Sequence, residues 1–329
     1  FEYALTLEPS DAEAHFNLAL VSLYLGDYAR GFREYEWRWE TNEYAAYRNR
    51  FPQLKWLGES DPAGKSILVY GDQGLGDSLM FARYIPLLQA RGAKVYLIAH
   101  KPLTALWRAT FPDCTVFEGG EDMPPIDYRI SLPSFPLAFG TSRDTVPPPL
   151  AFRGFEDRLA HWVRVIHDHR FKRPKVGVCW SGNWTHKNDA ERSIELATFR
   201  QLFDRFPQGK FFSLQYEVRA MDEPALADCP AITRLDLKDW FDTAAAISLL
   251  DVVVSVDTAV AHLAGSLGTT TITLLPARGV DWRWGGSGTT TPWYPAMTLV
   301  RQSTPSDWTD VFSHIRHALA ARCKFAAVA

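Results

Sequence analysis

Cysteine is scarce in this chain and a long apolar run is missing, and both shortages narrow what it can be. The four cysteines, Cys114, Cys179, Cys229 and Cys323, stand far apart in 329 residues with no C-x-x-C pair. That spacing argues against a zinc ribbon, a dithiol redox motif or a disulfide framework, and it fits a reducing, cytoplasmic setting. The longest uncharged stretch, Thr258 to Ala277, is broken by His262, Gly265, Gly268 and several threonines. It reads as a buried helix followed by a strand, so no membrane span is expected. Charge of one sign is also missing: a formal net charge of −3 leaves no electrostatic footprint for nucleic acid. No signal peptide is visible, and a start at Phe1 rather than methionine reads as a fragment. Certain motifs are absent as well. No two aspartates stand at D-x-D spacing, and neither H-E-x-x-H nor G-x-S-x-G occurs. His314 and His317 share a helix face without nearby cysteines and are assigned to a solvated surface.

What is present is an ordinary globular composition, 22% charged and 47% hydrophobic, in a chain long enough for two or three domains. Near the start, AEAHFNLALVSLYLGDYARGFREYEWRWE places Leu18, Ala19, Ser22, Gly26, Tyr28, Gly31 and Tyr35 where a tetratricopeptide repeat has its small and aromatic packing residues. About one and a third repeats are expected, with Pro9 stopping a preceding helix. An ordinary helical hairpin is the alternative. The aromatic link that follows ends near GESDPAGK. Beyond it, short apolar runs alternate with helical ones: SILVYG, SLMFARYIPLLQARG, AKVYLIA, PLTALWRAT, CTVF and DYRISL. That alternation predicts a parallel doubly wound sheet. It restarts at KVGVCW, after a Pro-rich stretch at Val146 to Leu150, a helix from about Phe155 to His169 and a hinge candidate at Lys172-Arg173-Pro174. Strands KFFSLQ, AITRLD, DVVVSV and TTTITLL follow, with a last helix from about Trp308 to Ala321. The expected domains are a helical remnant and linker (1–62), a first Rossmann-like domain (63–155) and a second (156–329). Ligands of such sheets bind at the carboxyl ends of the strands, here in a cleft between the halves.

Two familiar phosphate motifs fail. Gly64-Lys65-Ser66 precedes its strand instead of following it, and Glu59 stands where a P-loop needs glycine. Gly71, Gly74 and Gly76 do not form G-x-G-x-x-G, and no acidic residue follows the second strand to hold a ribose. The turn GDQGLGDS is more informative, because its glycines let backbone approach a ligand at a helix start. Asp77 there serves either as a helix cap or as a general base. In the second half, SVDTAVAHLAG puts a helix directly after a strand. Its free N–H groups and the Thr258 hydroxyl favour a diphosphate, with Asp257 anchoring the turn. His262, one turn on, faces the same ligand or is a satisfied core histidine. Ser181, Gly182 and Asn183 form a polar turn to which Lys187 and Arg192 bring positive charge, either for a leaving diphosphate or as a solvated loop. Gln215 contacts a nucleobase or is simply exposed. The cluster Trp282, Arg283, Trp284, Trp293 and Tyr294 stacks on sugar rings or fills a corner of the fold.

On these residues the chain resembles the family-9 glycosyltransferases, whose members include bacterial heptosyltransferases, and most of all the branch preceded by tetratricopeptide repeats. The resemblance runs from about Lys65 to the end. It rests on GLGD at Gly74 to Asp77, DTAVAHLAG at Asp257 to Gly265, WSGNWTHKND with Arg192-Ser193, and the DWRW…PWYP tail. It implies a GT-B architecture and inverting, metal-independent transfer of a sugar from a nucleotide diphosphate, with no cofactor. By the resemblance Asp77 is the base and Gln73, Gly74 and Gly76 lie on the acceptor side. Asp257, Thr258, Ala259 and His262 hold the donor diphosphate, with Ser181, Asn183, Lys187, Arg192 and Gln215 around it. Ala259 departs from the glycine usual in heptosyltransferases, so heptose is not implied. The partners expected are a nucleotide-sugar and a glycan or protein acceptor met through the repeats, with no nucleic acid. A non-catalytic interaction protein with a degenerate transferase half and a nucleotide-sugar epimerase are the competing readings.

Overall fold

A computed structural model of the chain describes residues 1–119, 122–167 and 173–322. Lys172 of the hinge candidate, the end of the helix read to His169, Cys323 and the side chain of His317 lie outside the described residues. The chain divides into two compact units: Phe1–Leu150 with Asp281–Ser287, and Ala151–Val280 with Gly288–Ala329.

The first unit opens with helices α1 (Glu2–Leu7), α2 (Ala12–Leu25) and α3 (Tyr28–Tyr35). Local chemistry sets their ends. The Asp11 carboxylate accepts the Ala14 N–H at 3.0 Å and starts α2. Gly26, at φ 89°, ends it, and the Asp27 N–H returns to the Ser22 carbonyl at 2.9 Å. Asp27 then caps α3 through the Arg30 N–H at 3.1 Å. The two helices approach closely because Gly31 has no side chain. A Cβ there would stand 2.6 Å from the Leu23 side chain.

A parallel sheet follows, built from β1 (Leu54–Lys55), β2 (Ser66–Tyr70), β3 (Lys94–Ile98), β4 (Thr115–Phe117) and β5 (Tyr128–Ser131) in the order β1-β5-β2-β3-β4. The run ILVY of β2 is buried throughout, as a strand covered on both faces must be. Strand β2 lies between β3 and β5, with Tyr70 opposite Ile98 and Ser131. The chain order therefore reverses at its carboxyl end, where the turn Gly71–Gly74 leaves it. The helix expected over Ser78 to Gly92 is interrupted. It runs as Leu75–Phe81, a 3-10 turn at Ala82–Tyr84, and Ile85–Ala90, because Pro86 has no N–H to continue the ladder. The two-residue strand β1, within the aromatic link, is too short to leave a periodic signal.

The helices and this sheet are joined by a buried charge network. Arg38, on the 3-10 turn Glu36–Glu40 after α3, has no exposed surface. Its guanidinium donates to Asp72 (3.0 Å), Glu36 (2.8 Å), and the hydroxyls of Ser131 (3.2 Å) and Ser134 (2.9 Å). Ser131 also donates to Asp72 at 2.7 Å, and Ser134 to Glu36 at 2.5 Å. Every charge in the network is answered, and the turn after β2 is fixed through Asp72.

The second unit holds β6 (Lys175–Cys179), β7 (Lys210–Ser213), β8 (Ile232–Arg234), β9 (Val252–Val256), β10 (Thr271–Leu275) and β11 (Met297–Arg301), all parallel, in the order β11-β10-β9-β6-β7-β8. Strand β11 was not expected from the sequence. It follows the glycine- and tryptophan-rich run and pairs only with β10 at the sheet edge. Val176, Val178, Val252, Val254, Phe199 and Phe312 belong to one core. Here the order reverses between β6 and β9. Residues 281–287, which the sequence placed in the second domain, belong to the first unit. Trp282 packs edge-on against Phe32 at 5.7 Å and Tyr28 at 6.3 Å. Among the described residues no helix is long and apolar enough to cross a membrane.

Removing one partner from a buried ion network strands the others. Arg38→Met is expected to destabilise the protein by about 3–5 kcal/mol, with chemical denaturation of parent and variant as the check.

Candidate functional site

Two sets of groups stand at the two reversal points, one in each unit. In the first, Gly74 begins the helix Leu75–Phe81 with extended backbone, and Asp77 sits in its first turn. Asp77 Oδ2 accepts the Gly74 N–H at 3.0 Å, so the capping role weighed from the sequence is present. Its other oxygen, Oδ1, takes a very short ion pair from Arg283. Arg283 in turn donates through one nitrogen to both oxygens of Asp281 at 2.8 Å. Burial pushes the Asp77 carboxyl above its ordinary value, Arg283 pulls it down, and Asp281 and Asp72 push it up; the net direction is up. The side chain retains some exposure, 21%. Gln73 donates to the Tyr35 hydroxyl at 2.5 Å, which ties this turn to α3, while Gly74 is exposed and Gly76 half-buried. Nearby His100, at the end of β3, is held neutral by desolvation.

In the second unit Thr258 stands at the N-cap of the helix Ala259–Ser266, immediately after β9. Its side chain caps nothing. The hydroxyl is buried and turned inward, 3.1 Å from the Ser255 hydroxyl and 3.7 Å from the Cys179 sulfur. The sequence had offered that hydroxyl to a ligand; what the turn leaves for one is backbone N–H. Asp257 contributes its carbonyl, which accepts from Arg192 at 2.9 Å. Arg192 is also close to Gly182, where a Cβ would lie 2.7 Å from a guanidinium nitrogen. A side chain at that position would have to displace the Arg192 guanidinium. Ser181 is 1% exposed, and its hydroxyl has no hydrogen-bond partner. Gln215 does not reach outward from its strand. Its amide closes on the Ser181 backbone, donating to the carbonyl at 2.9 Å and accepting the N–H at 3.2 Å.

The remaining sequence candidates divide. Asn183 and Lys187 are exposed in the turn after β6, where the Asn183 side-chain oxygen Oδ1 accepts from the Thr185 N–H and hydroxyl. His262 is buried with Nδ1 2.9 Å from the Tyr294 hydroxyl, which is the core-histidine reading. Ala259 is half-buried at the first helical position. Trp282, Trp284, Trp293 and Tyr294 are all buried, so this cluster packs rather than presenting a sugar platform. The sequence reading missed the partners of the site residues. Arg283 was seen only as part of an aromatic run. Arg219, which pairs with Asp189 and donates to Ser193 at 2.8 Å, was not singled out at all. Both are partners distant in sequence, and no spacing rule reveals them.

No family model matches the chain. It is 28% identical over 341 residues to protein FlbA of Caulobacter vibrioides, an alignment covering 94% of this chain and 56% of FlbA. The chain thus spans about half the length of the curated relative it matches. Among solved structures it is similar to E. coli ADP-heptose LPS heptosyltransferase II, with TM-score 0.56 and 15% identity over 78% of this chain and 98% of the other. A family-9 glycosyltransferase from Veillonella parvula gives TM-score 0.55 and 11% identity, over 78% and 90% of the two chains. The E. coli heptosyltransferase WaaC, solved with ADP-2-deoxy-2-fluoro heptose, gives 0.51 and 12%, over 78% and 99%. These likenesses establish the fold: two parallel α/β sheets of the GT-B glycosyltransferase type.

An acid that binds its proton more tightly in the folded chain loses stability as it ionises, from the ordinary carboxylate range upward. With the Asp77 carboxyl raised, Asp77→Asn is expected to melt higher relative to the parent at pH 7 than at pH 4. Thermal unfolding at the two pH values checks this; an equal difference at both contradicts the direction of the shift.

Proposed function

We propose that the chain is the transferase region of a family-9-type glycosyltransferase, moving a sugar from a nucleotide diphosphate to an acceptor hydroxyl with inversion. One observation carries the reading: the helix start at Thr258 has no side-chain cap, and it stands where the strand order reverses. Orphan N–H groups and the positive end of the helix dipole favour an anion there. Ser181, whose backbone carbonyl accepts from the Cys179 thiol beside Thr258, and the Arg192 guanidinium, which donates to the Asp257 carbonyl, border the same turn. A diphosphate is the anion that suits this fold.

In this reading each unit supplies one half of the chemistry. Asp77 accepts the proton of the acceptor hydroxyl as its oxygen bonds to the anomeric carbon and the carbon–diphosphate bond breaks on the opposite face. A carboxyl raised above its ordinary value by burial is a stronger base than a solvated one, which helps a proton transfer concerted with attack. Charge growing on the departing diphosphate is met by the Ala259–Ser266 helix start and by Arg192. In this reading no cofactor or metal enters, and the acids of the first site, Asp77 and Asp281, are answered by Arg283. The sugar is left open, because Ala259 places a methyl at the first helical position. The hairpin α2–α3 carries the tetratricopeptide reading, in a cytoplasmic enzyme whose acceptor is a glycan or protein.

A non-catalytic reading draws on a different observation: both Asp77 oxygens are already engaged, as in a purely structural carboxylate. Turnover decides between them. With a panel of nucleotide-sugars and acceptors, Asp77→Asn is expected to lose transfer by about 10²–10⁴-fold while binding nucleotide as the parent does. Near-parental turnover in the variant removes Asp77 as the base, and a chain that binds no nucleotide removes the transferase.

A further inference from the structure

Arg283 is separated from Asp77 by more than half the chain, yet it belongs to the same unit, and the reason is visible on both sides of it. Its guanidinium lies over the ring of Trp282 at 4.6 Å and over Phe81, on the Asp77 helix, at 5.5 Å. Trp282 stacks loosely on Phe81 and meets Phe32 and Tyr28 of α3 edge to face. Three residues beyond Arg283, Gly286 lies so close to Tyr24 of α2 that a Cβ would come within 2.9 Å of the ring. Residues 281–287 are therefore seated on the helical hairpin, and the hairpin decides where the guanidinium stands.

We propose that Arg283 is a positioning residue for Asp77, and that the hairpin α2–α3 is the clamp that keeps it in place. This rests on Asp77 being the base, and it gives the hairpin a task beyond meeting a partner. A half-buried carboxylate without a countercharge takes up a proton and stops being a base. Arg283 supplies the countercharge, and by occupying Oδ1 while Gly74 holds Oδ2 it fixes the plane of the carboxylate. One lone pair on each oxygen is left for an acceptor hydroxyl. Asp281 limits the effect by sharing the same guanidinium. The other ionisable groups that face Asp77 are Asp72, His100 and Tyr44, from the turn after β2, the end of β3 and the segment after the 3-10 turn. Tyr44 is pushed up to about 12 and is neutral near pH 7, as is His100. Asp281, Asp72 and Arg283 are thus the charges that set the balance.

The test follows the Asp77 carboxyl carbon by NMR in full-length protein labelled with 13C-aspartate, the resonance being assigned by its loss in Asp77→Asn. Arg283→Met is expected to raise the Asp77 midpoint by about 1–3 pH units, and Arg283→Lys by less, because it keeps the charge and loses the fork. Phe32→Ala, which touches neither charge, is expected to raise it as well by loosening the clamp. An unmoved midpoint in Arg283→Met overturns the positioning role, and a parental midpoint in Phe32→Ala overturns the clamp. If Arg283→Met does not fold, Arg283→Lys and Phe32→Ala carry the same decision. The acid limb of the transfer rate should move with the midpoint. A merely structural Arg283 would lower the rate and leave that limb in place. Because the titration needs no turnover, a parent that transfers nothing removes the transferase reading without touching this result.

Discussion

Keeping a half-buried carboxylate partnered is the constraint around which the candidate site of the first unit is arranged. Asp77 cannot satisfy it alone. One oxygen is held by the Gly74 N–H at a helix start and the other by Arg283, whose own charge is divided with Asp281. The turn that carries Asp77 is in turn fixed at its other end by the buried Arg38–Asp72 pair. Burying two ions on such short notice in the chain is costly unless each keeps a partner. This explains why three separate stretches, residues 36–44, 72–77 and 281–287, converge on one turn.

In the proposed function the second unit meets the opposite requirement, a place for negative charge that arrives from outside. It does so with backbone rather than with a cluster of lysines. Strand β9 is fully buried, and the chain leaves it straight into a helix whose first N–H groups receive no cap. Thr258 turns its hydroxyl toward Ser255 and Cys179, and the neutral thiol, raised by burial, adds no competing charge. Gln215 braces the neighbouring turn by bonding the Ser181 backbone from both sides. The result is a helix start that offers backbone N–H groups, bordered by the Arg192 guanidinium.

Much of this was legible in the sequence. The alternation of short apolar runs with helical ones pointed to the parallel sheets, and the spacing of Leu18, Ala19, Gly26, Tyr28 and Gly31 marked the hairpin, whose Asp11 and Asp27 caps were not read. The turns after β2, β6 and β9 were recognisable because glycine, serine and threonine at strand ends have few other uses. Less accessible was anything held together across long stretches of chain. Arg283 and Asp77 are partners only because a tryptophan-rich segment returns to the first unit, and sequence spacing carries no trace of that return. Strand β11 escaped because an edge strand has a single partner and needs little apolar pattern. His262 and Gln215 were placed on the right elements, yet their side chains bond inward, to Tyr294 and to Ser181, which periodicity alone does not decide.

The socket at the start of the Ala259–Ser266 helix is the claim that everything functional depends on. It is tested most directly by titrating 15N-labelled protein with ADP, UDP and GDP and following the backbone amides. The account predicts that at least one of them moves the amides of Ala259 and Val260 most, with Ser181 and Gly182 next. Millimolar nucleotide that leaves those four amides unmoved, or that shifts a different region of the chain, would contradict it.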